Sequence, residues 1–427
     1  MHDNFQVKRH LIKHNTDIRV TSKFNKSPLL IDDYNYGLPD EKIAKYPLTK
    51  RDQSKLLIYK QRNISEDVFV HAADYLPENS LLVFNNTKVI HARILFQKTT
   101  GAAIEIFCLE PVDPGDYALS LSTTNSCVWK CLIGNRKKWK SGALSKTLTI
   151  GEKIFDLDVV ILSSAGNTHH IRFSWNNAHI SFAEILDHAG ELPIPPYLNR
   201  KTETNDEITY QTVYAKHEGS VAAPTAGLHF TTKVMDSLKL KHIQTTELTL
   251  HIGAGTFQPV KTADIKDHQM HTEFFSVHKN TIANLLNKLG SVFAVGTTTV
   301  RTLESLFQIG IQILHNKFEK QDLFFIGQWE AYEQKPDISA EASLQAVLDY
   351  LKIHNLEEIH AQTQIIIQPG YQFEIIEGMF TNFHQPRSTL LLLVSAFVGE
   401  NWKQIYDYAL HRDFRFLSYG DSSLLLK

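Results

Sequence analysis

The stretch SVFAVGTTTVRTLESL, residues 291–306, changes period midway: an apolar run ends at Gly296, and a helical pattern opens on Thr297, Thr298 and Thr299. A strand that passes through glycine directly into a helix is the building unit of α/β layer folds. The same unit carries chemistry. The first turn of a helix leaves its N–H groups without intrahelical partners, and three hydroxyls beside them complete a ready anion site. Such a helix end stabilises an exposed charge by roughly 0.3–1 kcal/mol, enough to orient a carboxylate or phosphate but not to bind it tightly. Arg301, in the opening of this helix, either adds a guanidinium fork to the same anion or pairs with nearby Glu304.

Working outward, three more transitions share this texture. SVAA (220–223) passes through PTAGLHF to a helix opened by Thr231 or Thr232; ELTLHI (247–252) runs into GAGTF; TQIIIQPG (363–370) leads on to TNFHQPRSTLLLLVSAF. Residues 28–80 and 181–427 are therefore predicted to form one α/β domain. Within it, residues 317–361 stand apart as an insertion, with a helix that has Leu344, Val347, Leu348 and Leu351 on one stripe, Ser339 as N-cap and Glu341 in the first turn. Between the two parts lie short alternating or β-branched runs (LLVFNN, AAIEIFCLE, KTLTI, FDLDVVIL, HHIRFSW), so residues 81–180 are predicted to form a small antiparallel β-barrel. Residues 1–27 are polar and aperiodic and read as a loosely ordered extension.

The totals set bounds. With 427 residues, 43% apolar and 21% charged, the chain can bury a large core without a staple. A formal net charge of -2 excludes the strong positive field of a non-specific nucleic-acid binder, so any RNA contact must be local. The clearest local candidate is WKCLIGNRKKWK (129–140), in which Lys130, Arg136, Lys137, Lys138 and Lys140 offer phosphate partners, with Trp129 and Trp139 as stacking surfaces; a solvated charged loop is the plainer reading. Cys108, Cys127 and Cys131 fit no zinc spacing and point to a reducing cytosol. Iron–sulfur radical chemistry is disfavoured, since Gly134 stands where a third ligand would follow Cys127 and Cys131. The N-terminus lacks an apolar signal core, and the longest apolar stretch, near Leu390 to Val398, falls far short of the ~20 residues of a membrane span. A cytoplasmic protein without membrane contact is expected.

Several loops hold candidate functional groups. HIGAGTF allows close backbone approach to a flat ligand such as adenine through Gly253 and Gly255. A Gly-x-Gly turn also suits a methyltransferase or dinucleotide site, but the next strand, FFSVHKN, ends without the acidic residue those sites want. His229, His251, His268, His271 and His384 recur beside these turns. Imidazoles titrate near neutral pH and suit proton abstraction; His268 and His271 followed by Glu273 would also suit a metal, although no HExxH pattern occurs. Asn382, His384 and Arg387 precede a helix capped by Ser388 or Thr389, and Tyr419, Gly420 and Asp421 form a further polar turn.

Taken together, VAAPTAGLHFT, TLHIGAGTFQPV, AVGTTTVRTLES and TNFHQPRSTLLLLVSAF, with YNYGLPDEKIAKYPLTKRDQSKLL, LLVFNNTKVIHARI, GELPIPPYLNR, YQTVYA and SYGD, make the chain resemble the S-adenosylmethionine:tRNA ribosyltransferase-isomerase family from Leu30 to Leu426. The resemblance implies a three-layer αβα sandwich domain with an inserted small antiparallel β-barrel domain. It implies S-adenosylmethionine as co-substrate, no metal or redox cofactor, and a monomer acting on tRNA that carries 7-aminomethyl-7-deazaguanine at the wobble position. The implied reaction transfers and isomerises the ribosyl group, giving epoxyqueuosine-tRNA, adenine and methionine. A base removes a proton from the carbon beside the sulfonium, adenine departs, the amine attacks, the epoxide closes and methionine leaves.

Carried onto matching positions, the resemblance marks Thr225, Gly227, His251, Gly253, Gly255, Thr256, Gly296, Thr297, Thr298, Arg301, Asn382, Phe383 and Ser388 for S-adenosylmethionine. The methionine carboxylate is expected on Thr297, Thr298 and Arg301. His229, His271, His384 and Glu273 are the catalytic candidates. The family's usual NDTRVIPAR is NNTKVIHAR here, placing Asn86, Lys88 and His91 where an acid, an arginine and a proline are typical. AQTQIII and the segment Trp329–Leu356 also depart from shorter members. A relative with another acceptor, an S-adenosylmethionine-dependent RNA methyltransferase, and a non-enzymatic RNA-binding module are the alternatives.

Overall fold

A computed structural model describes residues 28–427 except 254, 256–259, 322 and 334–336. The extension 1–27 and Thr256 lie outside the described residues.

Four parallel strands form the middle of a ten-stranded sheet, in the order Gln244–Leu250, Leu81–Asn85, Val292–Val295 and Gly378–Asn382. Leu81–Asn85 is buried at every position, as expected of a continuous apolar run covered on both faces. For that reason it lies at the centre of this sheet and not in the barrel, where the sequence reading placed it. Ser422–Leu426 pairs antiparallel with Gly378–Asn382, and Lys55–Lys60 continues beyond it. The helix Thr297–His315 is buried along most of its length, including its polar residues. Helices buried all round belong between other elements, and here Ala340–Ile353 covers it.

The segment read as an insertion extends the same sheet. Phe324–Ile326 pairs with Glu358–Thr363, which in turn pairs with Glu273–His278. Its helix begins where expected, with Ser339 accepting from the N–H of Ala342 and Glu341 in the first turn. Gln328, between them, accepts from the N–H of Met270 at 2.9 Å and donates to the His268 carbonyl at 2.7 Å. The segment thereby fixes the loop that carries His268 and His271.

A second sheet has seven antiparallel strands, starting at Arg93–Gln97 and including the short Gly190–Glu191. Its strands alternate buried and open positions, as in Leu144–Ile150, the pattern of a sheet with one wet face. The sheet curls until Lys146 Nζ, near one edge, donates to the Leu95 carbonyl near the other at 3.1 Å. The helix Phe182–Ala189 opens with a capping box between Ser181 and Glu184 and buries Phe182, Ile185 and Leu186 against this sheet. These elements run past residue 180, where the expected barrel ended. Trp129 and Trp139 are fully buried in the same core. They hold the curled sheet together and present no stacking surface. No helix among the described residues is long and apolar enough to cross a membrane.

Candidate active site

The four parallel strands end on one side of the sheet, and the residues at their carboxyl ends converge there. Asn85 ends its strand, His251 and Ile252 come after Leu250, Gly296 comes after Val295, and Phe383 and His384 come after Asn382. Open parallel sheets bind ligands at such carboxyl ends.

Two adjoining chambers occupy this edge. The first, an open cleft of about 730 Å³, has Thr225, Gly296, Asn382, His384, Tyr197 and Ser418 in its wall; Phe383 and Ser388 line it too. The second, about 610 Å³, is bounded by Gly255, His268, His271, Glu273, Arg301 and Ile365–Ile367. Thr297, Thr298 and Leu390 belong to both walls. The start of one helix is therefore the partition.

Gly296 takes φ 89°, a backbone that favours glycine, and gives the helix no side-chain cap. The first turn is thus left to whatever enters the chambers. Thr298 is steadied from behind by Asn85, whose Nδ2 lies 3.5 Å from Thr298 Oγ1 and donates to the Leu250 carbonyl at 3.0 Å. Asn85 is a site residue that the sequence reading passed over; its only signal was its position at the end of an apolar strand.

Arg301 pairs with Glu273 across the second chamber, and its Nε donates to the Ile365 carbonyl at 3.2 Å. Its Nη2 is buried and has no hydrogen-bond partner among the described residues. Glu304, the alternative partner, is engaged elsewhere: it accepts from the Tyr371 hydroxyl and from the N–H groups of Glu374 and Ile375. A buried guanidinium with one carboxylate partner and one unused N–H₂ group is arranged to receive a second anion.

The histidines separate by environment. His384 lines the first chamber with its Nε2 2.8 Å from Thr381 Oγ1, and burial holds its imidazole down to about 3. His229 lies behind the wall, 4% exposed, between Ser54 and Asn382, and burial lowers it to about 3 as well. His251 is also outside both walls. It stacks on Tyr117, from the core of the curled sheet, at 4.2 Å, with Nδ1 3.2 Å from Thr87 Oγ1, and is held at about 4 by burial. His271 is exposed in the second chamber and fills the space that a side chain at Gly255 would take. The bareness of Gly255 thus admits an imidazole ring. Gly227 and Gly253 lie outside both walls; a side chain at Gly227 would collide with the Tyr214 hydroxyl. Among the described residues no group of three or more His, Cys, Asp or Glu side chains is gathered to hold a metal.

Asn86, Lys88 and His91 are each engaged within the chain and line neither chamber. Asn86 donates to Glu247, Lys88 pairs with Glu218 at 2.8 Å, and His91 meets Asp187 at 3.0 Å. On the curled sheet, Lys130 pairs with Glu110 at 2.6 Å and Arg136 donates to the Trp139 carbonyl, while Lys137, Lys138 and Lys140 are exposed.

Comparison with known proteins gives the site its context. An S-adenosylmethionine:tRNA ribosyltransferase-isomerase from Trichlorobacter lovleyi is 37% identical over 409 residues, covering 93% of this chain and 100% of its own length. The enzyme of the same name from Thermotoga petrophila is 36% identical over 403 residues, covering 93% of this chain and 99% of its own. The crystal structure of S-adenosylmethionine tRNA ribosyltransferase from Thermotoga maritima shares 28% identity, covers 92% of this chain and 100% of that one, and superposes with a TM-score of 0.44. The family described as queuosine biosynthesis protein matches residues 31–425, and the chain belongs to that family.

Proposed function

We propose that this chain is an S-adenosylmethionine:tRNA ribosyltransferase-isomerase, which transfers and isomerises the ribosyl group of S-adenosylmethionine onto 7-aminomethyl-7-deazaguanine in tRNA. Relatives of that name match it over almost their whole length. The observation that carries the site assignment is the buried, half-used Arg301 guanidinium beside the uncapped helix start. A substrate carboxylate there meets Nη2 and the N–H groups and hydroxyls of Thr297 and Thr298. That fixes the methionine end in the second chamber and directs the nucleoside toward the first.

Proton abstraction beside the sulfonium falls to His271. His229 is walled off, an imidazole held near 3, as in His384, is a weak base at neutral pH, and His268, in the same wall as His271, is half-buried and made less basic by that burial. Glu273 keeps Arg301 oriented and limits the net positive charge that a cationic substrate meets. Lys137, Lys138 and Lys140 supply phosphate contacts to tRNA from the barrel. The α/β part is a three-layer αβα sandwich in this reading.

The test incubates the protein with S-adenosylmethionine and precursor-bearing tRNA and analyses nucleosides and small products by mass spectrometry. Epoxyqueuosine, free adenine and methionine are expected. S-adenosylhomocysteine without adenine release would assign a methyltransferase. Replacing His271 by alanine is expected to slow adenine release by about 100-fold or more.

A further inference from the structure

The wall of the first chamber is held from behind by a row of four side chains. Thr225 Oγ1 donates to Asn382 Oδ1 at 2.8 Å, and both residues line the chamber. The other end of the Asn382 amide, Nδ2, lies 3.4 Å from His229 Nε2, and His229 Nδ1 lies 2.7 Å from Ser54 Oγ. Ser54 is 1% exposed and His229 4%, so this part of the row is sealed from solvent. Only Thr225, partly exposed, reaches the open surface.

Each link can run in either direction, but the links are coupled. If the Asn382 amide turned over, its Nδ2 would donate to Thr225 and its Oδ1 would need a hydrogen on His229 Nε2. Two observations select the direction. Burial keeps His229 neutral, so it has one N–H and one acceptor nitrogen. The Asn382 amide presents Oδ1 to Thr225 and Nδ2, a donor, to His229 Nε2. An amide N–H₂ only donates, so Nε2 accepts from Asn382 and Nδ1 carries the hydrogen, which Ser54 Oγ accepts. The Asn382 oxygen then accepts from Thr225, whose own hydrogen is committed to the wall. The lone pairs of Thr225 Oγ1 are left for the chamber.

We infer that Thr225 Oγ1 is a fixed acceptor that reads an exocyclic amino group, so the first chamber selects a 6-aminopurine over a 6-oxopurine. Ser54 and His229 act as positioning residues for that selection. The inference deepens the proposed function and rests on S-adenosylmethionine occupying this cleft. An oxo group in the same place would set one oxygen against another with no hydrogen between them.

The experiment compares S-adenosylmethionine with its 6-oxo analogue, S-inosylmethionine, as donors to precursor-bearing tRNA, reading release of the base. For the unaltered protein kcat/KM is expected to be at least about tenfold lower for the oxo compound. Thr225→Val keeps the shape and removes the acceptor, and should bring the ratio close to one; Thr225→Ser should restore it. His229→Leu frees the Asn382 amide and should also reduce the ratio. Equal use of both donors by the unaltered protein, or a preference that survives Thr225→Val, overturns the inference and leaves the proposed function standing. Failure to use either donor overturns both.

Discussion

The buried His229 makes a quantitative prediction about pH. Its imidazole is held at about 3 in the folded protein by burial, against about 6.5 in an unfolded chain. Below pH 6.5 the unfolded chain takes up a proton that the folded protein refuses until pH nears 3. The stability tied to this residue is therefore complete above pH 6.5 and is lost as pH falls toward 3. At pH 5 the unfolded site has gained about 1.5 pH units of proton binding, which at 1.36 kcal/mol per unit is about 2 kcal/mol. His384, held at about 3, and His251, held at about 4, obey the same arithmetic. The three histidines together remove about 6 kcal/mol between pH 8 and pH 5, a large part of the usual 5–15 kcal/mol. The assay is urea unfolding at both pH values for the unaltered protein and for His229→Gln. Glutamine cannot titrate, and its oxygen can accept from Asn382. The variant's loss between the two pH values should be smaller by about 2 kcal/mol, whatever the substitution costs at pH 8. Equal losses in the two proteins would refute the argument, because His229 would then be taking up its proton without unfolding.

Arg301 and Glu273 are 8% and 4% exposed at the side chain, so removing one partner strands a charge. Arg301→Met should cost about 3–5 kcal/mol in urea unfolding. Adding Glu273→Gln should recover most of that stability while leaving S-adenosylmethionine binding, read by calorimetry, as weak as in the single variant. A separate prediction concerns Gly310, where a side chain would run into Ser343 of the covering helix, backbone included. Gly310→Ala should lower stability by about 1–3 kcal/mol through overpacking, visible as a lower Tm with no change in substrate affinity at 25 °C.

How much the sequence disclosed depends on how local each signal is. The change of period at Gly296 and the caps at Thr231, Ser339 and Ser388 depend on neighbours within a few residues, and each stands where it was read; Asn382, read into the loop before the last of these caps, ends a strand instead. Partnerships across the sheet depend on register, which no local pattern carries. Glu273 meets Arg301 because its strand pairs Glu273 with Thr363, at the end of the strand that leads to Ile365; nearby Glu304 was the more visible candidate. Leu81–Asn85 looked like the first strand of the barrel because it immediately precedes one, yet its burial on both faces sends it to the middle of the other sheet. The tryptophans flanking the basic run combined ring and charge in sequence. Strand alternation turned Trp129 inward and left the neighbouring Lys130 partly open. Ser54 offered no signal, since its importance lies in one contact with a residue 175 positions away.

The charge of the proposed substrate constrains how the two chambers are used. A sulfonium placed directly against Arg301 and a helix N-terminus would meet positive charge from both; at 4 Å and an effective dielectric of 20, one such pair costs about 4 kcal/mol. The carboxylate of the same molecule reverses that balance when it lies between them, and Glu273 offsets part of the guanidinium charge on the other side. The favourable orientation therefore points the carboxylate at Arg301 and the first turn at Thr297 and Thr298, and holds the sulfonium farther out, toward Leu390, which belongs to both walls, and the first chamber. From that rim the ribose and its base extend into the first chamber, where the wall at Thr225 and Asn382 is already oriented. In this reading the carbon beside the sulfur lies near the partition, and of the two imidazoles in the second chamber's wall the exposed His271 faces it, His268 being half-buried. Reversing the molecule would bring the cation nearest the guanidinium and leave Nη2 without an anion, so electrostatics selects one of the two orientations that the cleft's shape alone would admit.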